Sequence, residues 1–333
     1  MGDIFDKSGK YIDLHLHLDG AIDKELAREL ADIEKVALPA LDAELETMLT
    51  LPPVCESLND FLKCFELPDS LLQREESLTY AVRRLLDKMR DEGLIYAEIR
   101  FAPQLHMRRG MSQEDAVRAA IKGLEKAEIP ANLILCAMRG SDCQKANYET
   151  MQLAKKYLNC EGGVAAMDLA GAEALFPTRD YRELFMLAKN EGLPFTIHAG
   201  EADGPESVRE AVDYGASRIG HGVRMAADEE VCRLVKERGI YLEMCPTSNR
   251  QTQALADMSL YPLRKFLDEG IKVTINTDDP AIEGTSISKE FNYIADKFGF
   301  SYDDYLEVSQ NAIEGAFASD AIKANLRSKL SAL

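Results

Sequence analysis

The sequence predicts an α/β fold, a parallel (β/α)8 barrel with extra helices inserted after strand 1. Three observations carry this. Eight short, nearly continuous apolar segments recur between longer amphipathic ones, as parallel strands covered on both faces do. The gaps between them show helical periodicity. Four of the five histidines, His15, His17, His198 and His221, lie where three of those segments end, the end at which parallel barrels carry their chemistry. A doubly wound open sheet is the main competitor. It usually has fewer strands and a glycine-rich first turn, whereas the first strand here runs into HLHLDG with no GxGxxG.

The strands are expected at about 11–18 (YIDLHLHL), 95–101 (IYAEIRF), 131–138 (ANLILCAM), 164–170 (VAAMDLA), 194–199 (PFTIHA), 218–222 (RIGHG), 241–245 (YLEMC) and 272–277 (KVTINT). Leu78, Val82, Leu85, Leu86 and Met89 fall three or four apart and predict the helix before the second strand. Ser112 with Asp115 forms a capping box that opens the next helix. Val231, Leu234 and Val235 mark the helix before the seventh strand, and Gly239 ends it. The longest gap follows strand 1. In it Leu58, Phe61, Leu62 and Phe65 make a helical stripe behind a Ser57–Asp60 cap pair. At the catalytic end of a barrel, a helix in the 45–75 segment reads either as a lid or as plain cover for the barrel edge.

No linker or low-complexity tract divides the 333 residues, so one barrel domain spanning 1–333 is expected. The apolar fraction of 46% is enough for a substantial core. A formal charge of −18 argues against nucleic acid and anionic membrane surfaces, and leaves a small neutral or cationic ligand. Seven cysteines, odd in number and without a CxxC pair, read as free thiols in a reducing compartment. Cys136 and Cys245 lie in apolar strands and are expected to be buried. With a polar start, MGDIFDKSGK, and no long apolar stretch, the expected location is the cytoplasm. The sequence sets no oligomeric state.

Residues two apart on a strand share a face, so His15 and His17 aim together into the barrel mouth. His198 ends strand 5, and Asp278 follows strand 8, which lies beside strand 1 in a closed barrel. Three imidazoles and one carboxylate suit a first-row divalent metal, with Zn2+ the default. Beside them Glu201, His221 and Asp279 offer acid and base groups. Together they describe a hydrolytic centre: a metal that acidifies water, His221 and Asp279 to take or orient its proton, and Glu201 to protonate substrate.

The segments DLHLHLDGAI, EIRFAPQLH, MDLAGAE, TIHAGE, RIGHGV, CPTSN and TINTDDP occur in that order between residues 13 and 280. In this set the chain resembles the adenosine deaminase family of metal-dependent amidohydrolases. The resemblance implies one Zn2+ per chain on His15, His17, His198 and Asp278. It implies a purine nucleoside substrate, Glu201 as the acid for purine N1, and His221 as the water-orienting base and oxyanion stabiliser. Asp279 would accept from the attacking water and hold N7, Gly171 would meet N3 through its backbone N–H, and Asp19 would bind a ribose hydroxyl, with His17 also at the substrate. The expected reaction is hydrolytic deamination of adenosine and 2′-deoxyadenosine.

Three alternatives stay open. A deaminase of adenine or a modified nucleoside would use the same barrel, but related adenine deaminases look like HLHxEG where this chain has Asp19. Two-metal hydrolases of the wider superfamily carry a bridging lysine after strand 4, and here that strand ends in Asp168-Leu169-Ala170-Gly171. A catalytically inactive nucleoside-binding barrel would be expected to lack Glu201 or a metal ligand. His106 is read as an exposed loop histidine, Arg108 and Arg109 as solvated, and Pro246 to Asn249 receive no role.

Overall fold

A computed structural model describes residues 5–6, 9–51, 64–125 and 127–331. The strands are β1 (Tyr11–His17), β2 (Leu94–Phe101), β3 (Ala131–Met138), β4 (Val164–Ala170), β5 (Thr196–Ala199), β6 (Arg218–His221), β7 (Tyr241–Met244) and β8 (Lys272–Ile275). They pair in chain order and in parallel, as two runs of four. Two seams join the runs. Met167 donates its N–H to Pro194 O (3.0 Å) between β4 and the segment entering β5. At the other seam His17 N–H donates to Asp278 O (2.9 Å) and Asp278 N–H to His15 O (2.8 Å). The barrel therefore closes through residues predicted to bind metal.

β5 and β8 are shorter than the apolar runs suggested. Pro194 has no N–H to donate. Beyond β8, Asn276 still donates its N–H to Met244 O, but its side chain pairs with β1 by accepting from Leu14 N–H (3.0 Å).

Between the strands run α1 (Lys24–Glu34), α2 (Asp42–Leu49), α3 (Glu66–Ser70), α4 (Glu75–Asp91), α5 (Gln113–Leu124), α6 (Gln144–Lys156), α7 (Arg182–Asn190) and α8 (Pro205–Tyr214). They continue as α9 (Glu229–Arg238), α10 (Pro246–Gln251), α11 (Leu263–Asp268), α12 (Pro280–Glu283), α13 (Ile287–Phe298), α14 (Tyr302–Gly315) and α15 (Asp320–Leu330). The predicted stripe of α4 is buried throughout, and the Ser112–Asp115 box caps α5 in both directions. Gly239 ends α9 in the left-handed conformation. The Ser57–Asp60 cap and most of the 58–65 stripe fall outside the described residues; Phe65 alone of that stripe is described.

The lower lumen departs from the usual layers of branched aliphatic side chains. Arg100 donates to Asp168 (2.8 Å), Glu243 (2.8 Å) and Leu14 O (2.6 Å), and Arg218 contacts Glu243 and Glu98 at 2.6 Å each. All five charged side chains are fully buried. Three carboxylates face two guanidinium groups, so this layer carries one excess negative charge beneath the histidines. Buried ions persist when each is paired and hydrogen-bonded.

Candidate metal and catalytic site

The predicted ligand groups converge. One donor atom from each of His15, His17, His198 and Asp278 lies within 4.8 Å of all the others. His17 Nε2 and His198 Nε2 are 3.3 Å apart. Asp278 Oδ1 approaches His15 Nε2 at 3.2 Å and His17 Nε2 at 3.4 Å. His15 Nε2 is buried and has no aligned hydrogen bond. Three imidazole nitrogens and a carboxylate oxygen crowded on one point are the donor set of a first-row divalent cation.

The opposite ring nitrogens are held from below. His15 Nδ1 lies 2.8 Å from Glu243 Oε2, and His198 Nδ1 lies 2.9 Å from Asp168 Oδ2. Each carboxylate fixes its imidazole so that Nε2 faces the centre. Neither Glu243 nor Asp168 stood out in the sequence, where each reads as one residue of a strand. Their parity on the strand, which puts them on the lumen side with the histidines, was the available signal.

Asp278 and His221 have positive φ values of 64° and 63°. Non-glycine residues in this region cost about 1–3 kcal/mol each and persist where the surroundings over-determine them. Here the β1 seam holds Asp278, and the β5–β6 pairing holds His221.

His221 and Glu201 face one another across the centre, with His221 Nε2 3.6 Å from Glu201 Oε2 and 3.7 Å from Asp278 Oδ2. The segment without an assigned role supplies Asn249, and the chain just beyond it supplies Thr252 and Tyr261. Asn249 Nδ2 lies 3.1 Å from His221 Nδ1, and Tyr261 donates to Asn249 Oδ1 (3.0 Å). Donation from Asn249 places the neutral ring's proton on Nε2, facing the centre. Burial holds His221 below the ordinary histidine value, outweighing the pull of Glu201 and Asp278. Thr252 donates to Glu201 Oε1 (3.1 Å).

Glu173 organises the loop that carries Glu201. Its carboxylate accepts from the N–H groups of Gly200 (2.7 Å), Glu201 (3.1 Å), Ala202 (2.7 Å) and Asp203 (3.0 Å), and from Ser207 (2.5 Å). Burial would raise this group, but Ser207, the loop N–H groups and Arg139 keep it below the usual glutamate range.

Asp279 is buried, and burial together with Asp278, Asp19 and Glu201 pushes it well above the usual range. That makes its anion a stronger base than an ordinary aspartate. It packs against Gly20 so closely that a Cβ there would lie 1.7 Å from Asp279 Oδ1. Asp19 groups with His17 and Asp279 within 4.8 Å. Gly171 has φ +104°, so its backbone conformation is what calls for glycine.

These groups line a cavity of about 550 Å3 together with Phe65, Asp69, Leu105, Arg108, Cys136 and Met138. The volume suits a small organic ligand. Cys136 and Cys245 are buried, as expected.

Two expectations are corrected. His106 is 1% exposed, not a surface histidine. The 3-10 turn Pro103–His106 folds it inward, with its ring centroid 5.7 Å from that of Phe101, and burial lowers it to about 4. Arg109 is not simply solvated: it pairs with the buried Glu34 carboxylate (3.0 Å) and also donates to Glu34 O. Among the described residues no helix is long and apolar enough to cross a membrane.

Amidohydrolase-type barrels are the class this architecture defines, with chemistry gathered at the C-terminal mouth of parallel strands. The family model for adenosine deaminase matches residues 11–333, and the chain belongs to that family. An adenosine deaminase from Haemophilus ducreyi is 48% identical over 319 residues, 94% of this chain and 93% of that protein. Among solved structures, an adenine deaminase from Arthrobacter aurescens is 29% identical with a TM-score of 0.84, covering 96% of this chain and 98% of its own. An N6-mAMP deaminase from Arabidopsis is 26% identical with a TM-score of 0.85, covering 98% of this chain and 99% of its own.

Proposed function

We propose that this chain, as one barrel domain over residues 1–333, is a cytoplasmic enzyme that deaminates adenosine and 2′-deoxyadenosine hydrolytically. One Zn2+ per chain would be held by His15, His17, His198 and Asp278. The convergence of those four donors beside Glu201, His221 and Asp279 is the observation that supports it most. When bound, the cation supplies Lewis acidity that lowers the pKa of water at the centre.

The chain's own groups do the rest. Asp279 takes a proton from the attacking water, and its other contact is purine N7. Glu201 donates to N1, which removes ring aromaticity and makes C6 electrophilic. The His221 Nε2–H faces the oxygen that adds to C6 and stabilises its developing charge. The tetrahedral carbon then expels the amino nitrogen as ammonia after proton transfer, leaving inosine. Gly171 offers its N–H to N3, and Asp19, with His17 beside it, takes a ribose hydroxyl.

Asp19 also favours a nucleoside over a free base, since a half-buried carboxylate placed to bind a hydroxyl is left unpaired by adenine. Release of ammonia from adenosine, deoxyadenosine and adenine, and of methylamine from N6-methyladenosine, with metal analysis of the same sample, tests this reading. It predicts the highest kcat/KM on the first two substrates and one zinc per chain. A higher kcat/KM on adenine would reject it.

A further inference from the structure

The cavity carries charged groups that the deamination chemistry does not use. Asp69, on α3, is 8% exposed, and its Oδ1 is buried without a hydrogen-bond partner among the described residues. Its Oδ2 lies 3.3 Å from Arg108 Nη2. Gln73, 2% exposed, ties the two segments together. It donates to Asp69 O (2.6 Å) and Leu105 O (3.0 Å) and accepts from Arg108 N–H (2.9 Å). The pair is therefore positioned by a buried staple, although the Arg108 side chain itself is 57% exposed.

Asp69, Arg108 and Asp19 all line the cavity. Asp19 acts electrostatically on Asp69 and itself contacts the His17–Asp279 group, so Asp69 lies one step further along the wall. Glu66 adds another acid to the same wall. Arg224 also lines the cavity, but its guanidinium is committed to Ala202 O (2.7 Å) and Ala254 O (2.8 Å). That leaves Arg108 as the arginine available to a phosphate, and Asp69 holds it.

We propose that Asp69 sets the choice between purine nucleosides and their 5′-monophosphates. Placed beyond Asp19 at the sugar end of the cavity, it adds a second carboxylate where a sugar phosphate would lie, and it occupies the Arg108 guanidinium that would otherwise neutralise that phosphate. This rests on Asp19 as the carboxylate for the sugar hydroxyl. Like charges facing each other in a partly dry site repel strongly, and a planar guanidinium released from a carboxylate is a good bidentate phosphate ligand.

The test compares inhibition constants of inosine and inosine 5′-monophosphate on zinc-loaded enzyme, and kcat/KM for adenosine and adenosine 5′-monophosphate. Asp69→Asn lowers the ratio of the monophosphate's inhibition constant to inosine's by about tenfold or more. It shifts the kcat/KM ratio towards the monophosphate in the same direction. Asp69→Asn combined with Arg108→Ala keeps only the part of that gain that comes from the lost carboxylate. An unaltered ratio in Asp69→Asn, or the full gain in the double variant, overturns the proposal. Should Asp69→Asn fail to fold or to bind zinc, Arg108→Ala alone decides. It leaves Asp69 unpaired and raises the inhibition ratio, and an unaltered ratio there overturns the proposal as well. Binding of the two products is read without turnover. A wild type that binds both but releases no ammonia from adenosine would count against the proposed reaction and not against this selection.

Discussion

Replacing Glu173 by glutamine removes one charge from a carboxylate that touches no predicted metal ligand yet holds the whole loop from Gly200 to Asp203. Oε2 accepts three backbone N–H groups, while Oε1 accepts Gly200 N–H and the Ser207 hydroxyl. If the new amide nitrogen took the Oε2 side it would face three donors. On the Oε1 side it faces one, because the hydroxyl can turn and accept. The second arrangement wins, leaving Gly200 N–H without a partner at a cost of about 1–3 kcal/mol. The other loop bonds lose their charge assistance, which roughly halves each. The sum is about 3 kcal/mol, which for a chain of this length lowers Tm by about 4 °C. If half of that is felt at Glu201, kcat/KM falls about tenfold. Scanning calorimetry and initial rates of ammonia release measure the two effects, and zinc content should stay at the wild-type value. A Glu173→Gln enzyme with unaltered Tm and unaltered kcat/KM would refute the claim that this carboxylate positions the acid.

Three further outcomes are expected. Asp168→Asn weakens the hold on His198 Nδ1 and lowers zinc affinity by roughly 10–100-fold, read by competition with a chelator; unchanged affinity would remove Asp168 from the centre. Asn249→Ala takes away the His221 Nδ1 partner and lowers kcat about tenfold with little change in KM, the loss of one buried hydrogen bond. The third concerns Asp304, which Arg264 chiefly holds down, from 3.8 to about 2. Because the folded value is depressed, the stabilisation is complete above pH 3.8 and vanishes as pH falls through about 2. The Tm gap between wild type and Asp304→Asn should close across that window, and a gap independent of pH would contradict it.

The sequence alone determined the strand–helix alternation and the four metal-type donors. Apolar runs, capping residues and HxH spacing are local signals that survive without coordinates, and strand parity aims His15 and His17 to one side. Only the tertiary structure revealed what supports them. Glu98, Arg100, Asp168, Arg218 and Glu243 read as polar interruptions in apolar strands, because parity can assign them a face but not the partners they meet across the lumen. Glu173 and Thr252 from turns, and Asn249 from α10, reach Glu201 and His221 from positions distant in sequence. His106 looked exposed because a histidine among arginines gives no local sign that a turn folds it inward. Positive φ at Asp278 likewise follows from closing the ring of strands, and at His221 from the β5–β6 pairing. Short-range periodicity is written along the chain, whereas the pairing of buried charges depends on barrel closure, which sets which residues end up facing one another.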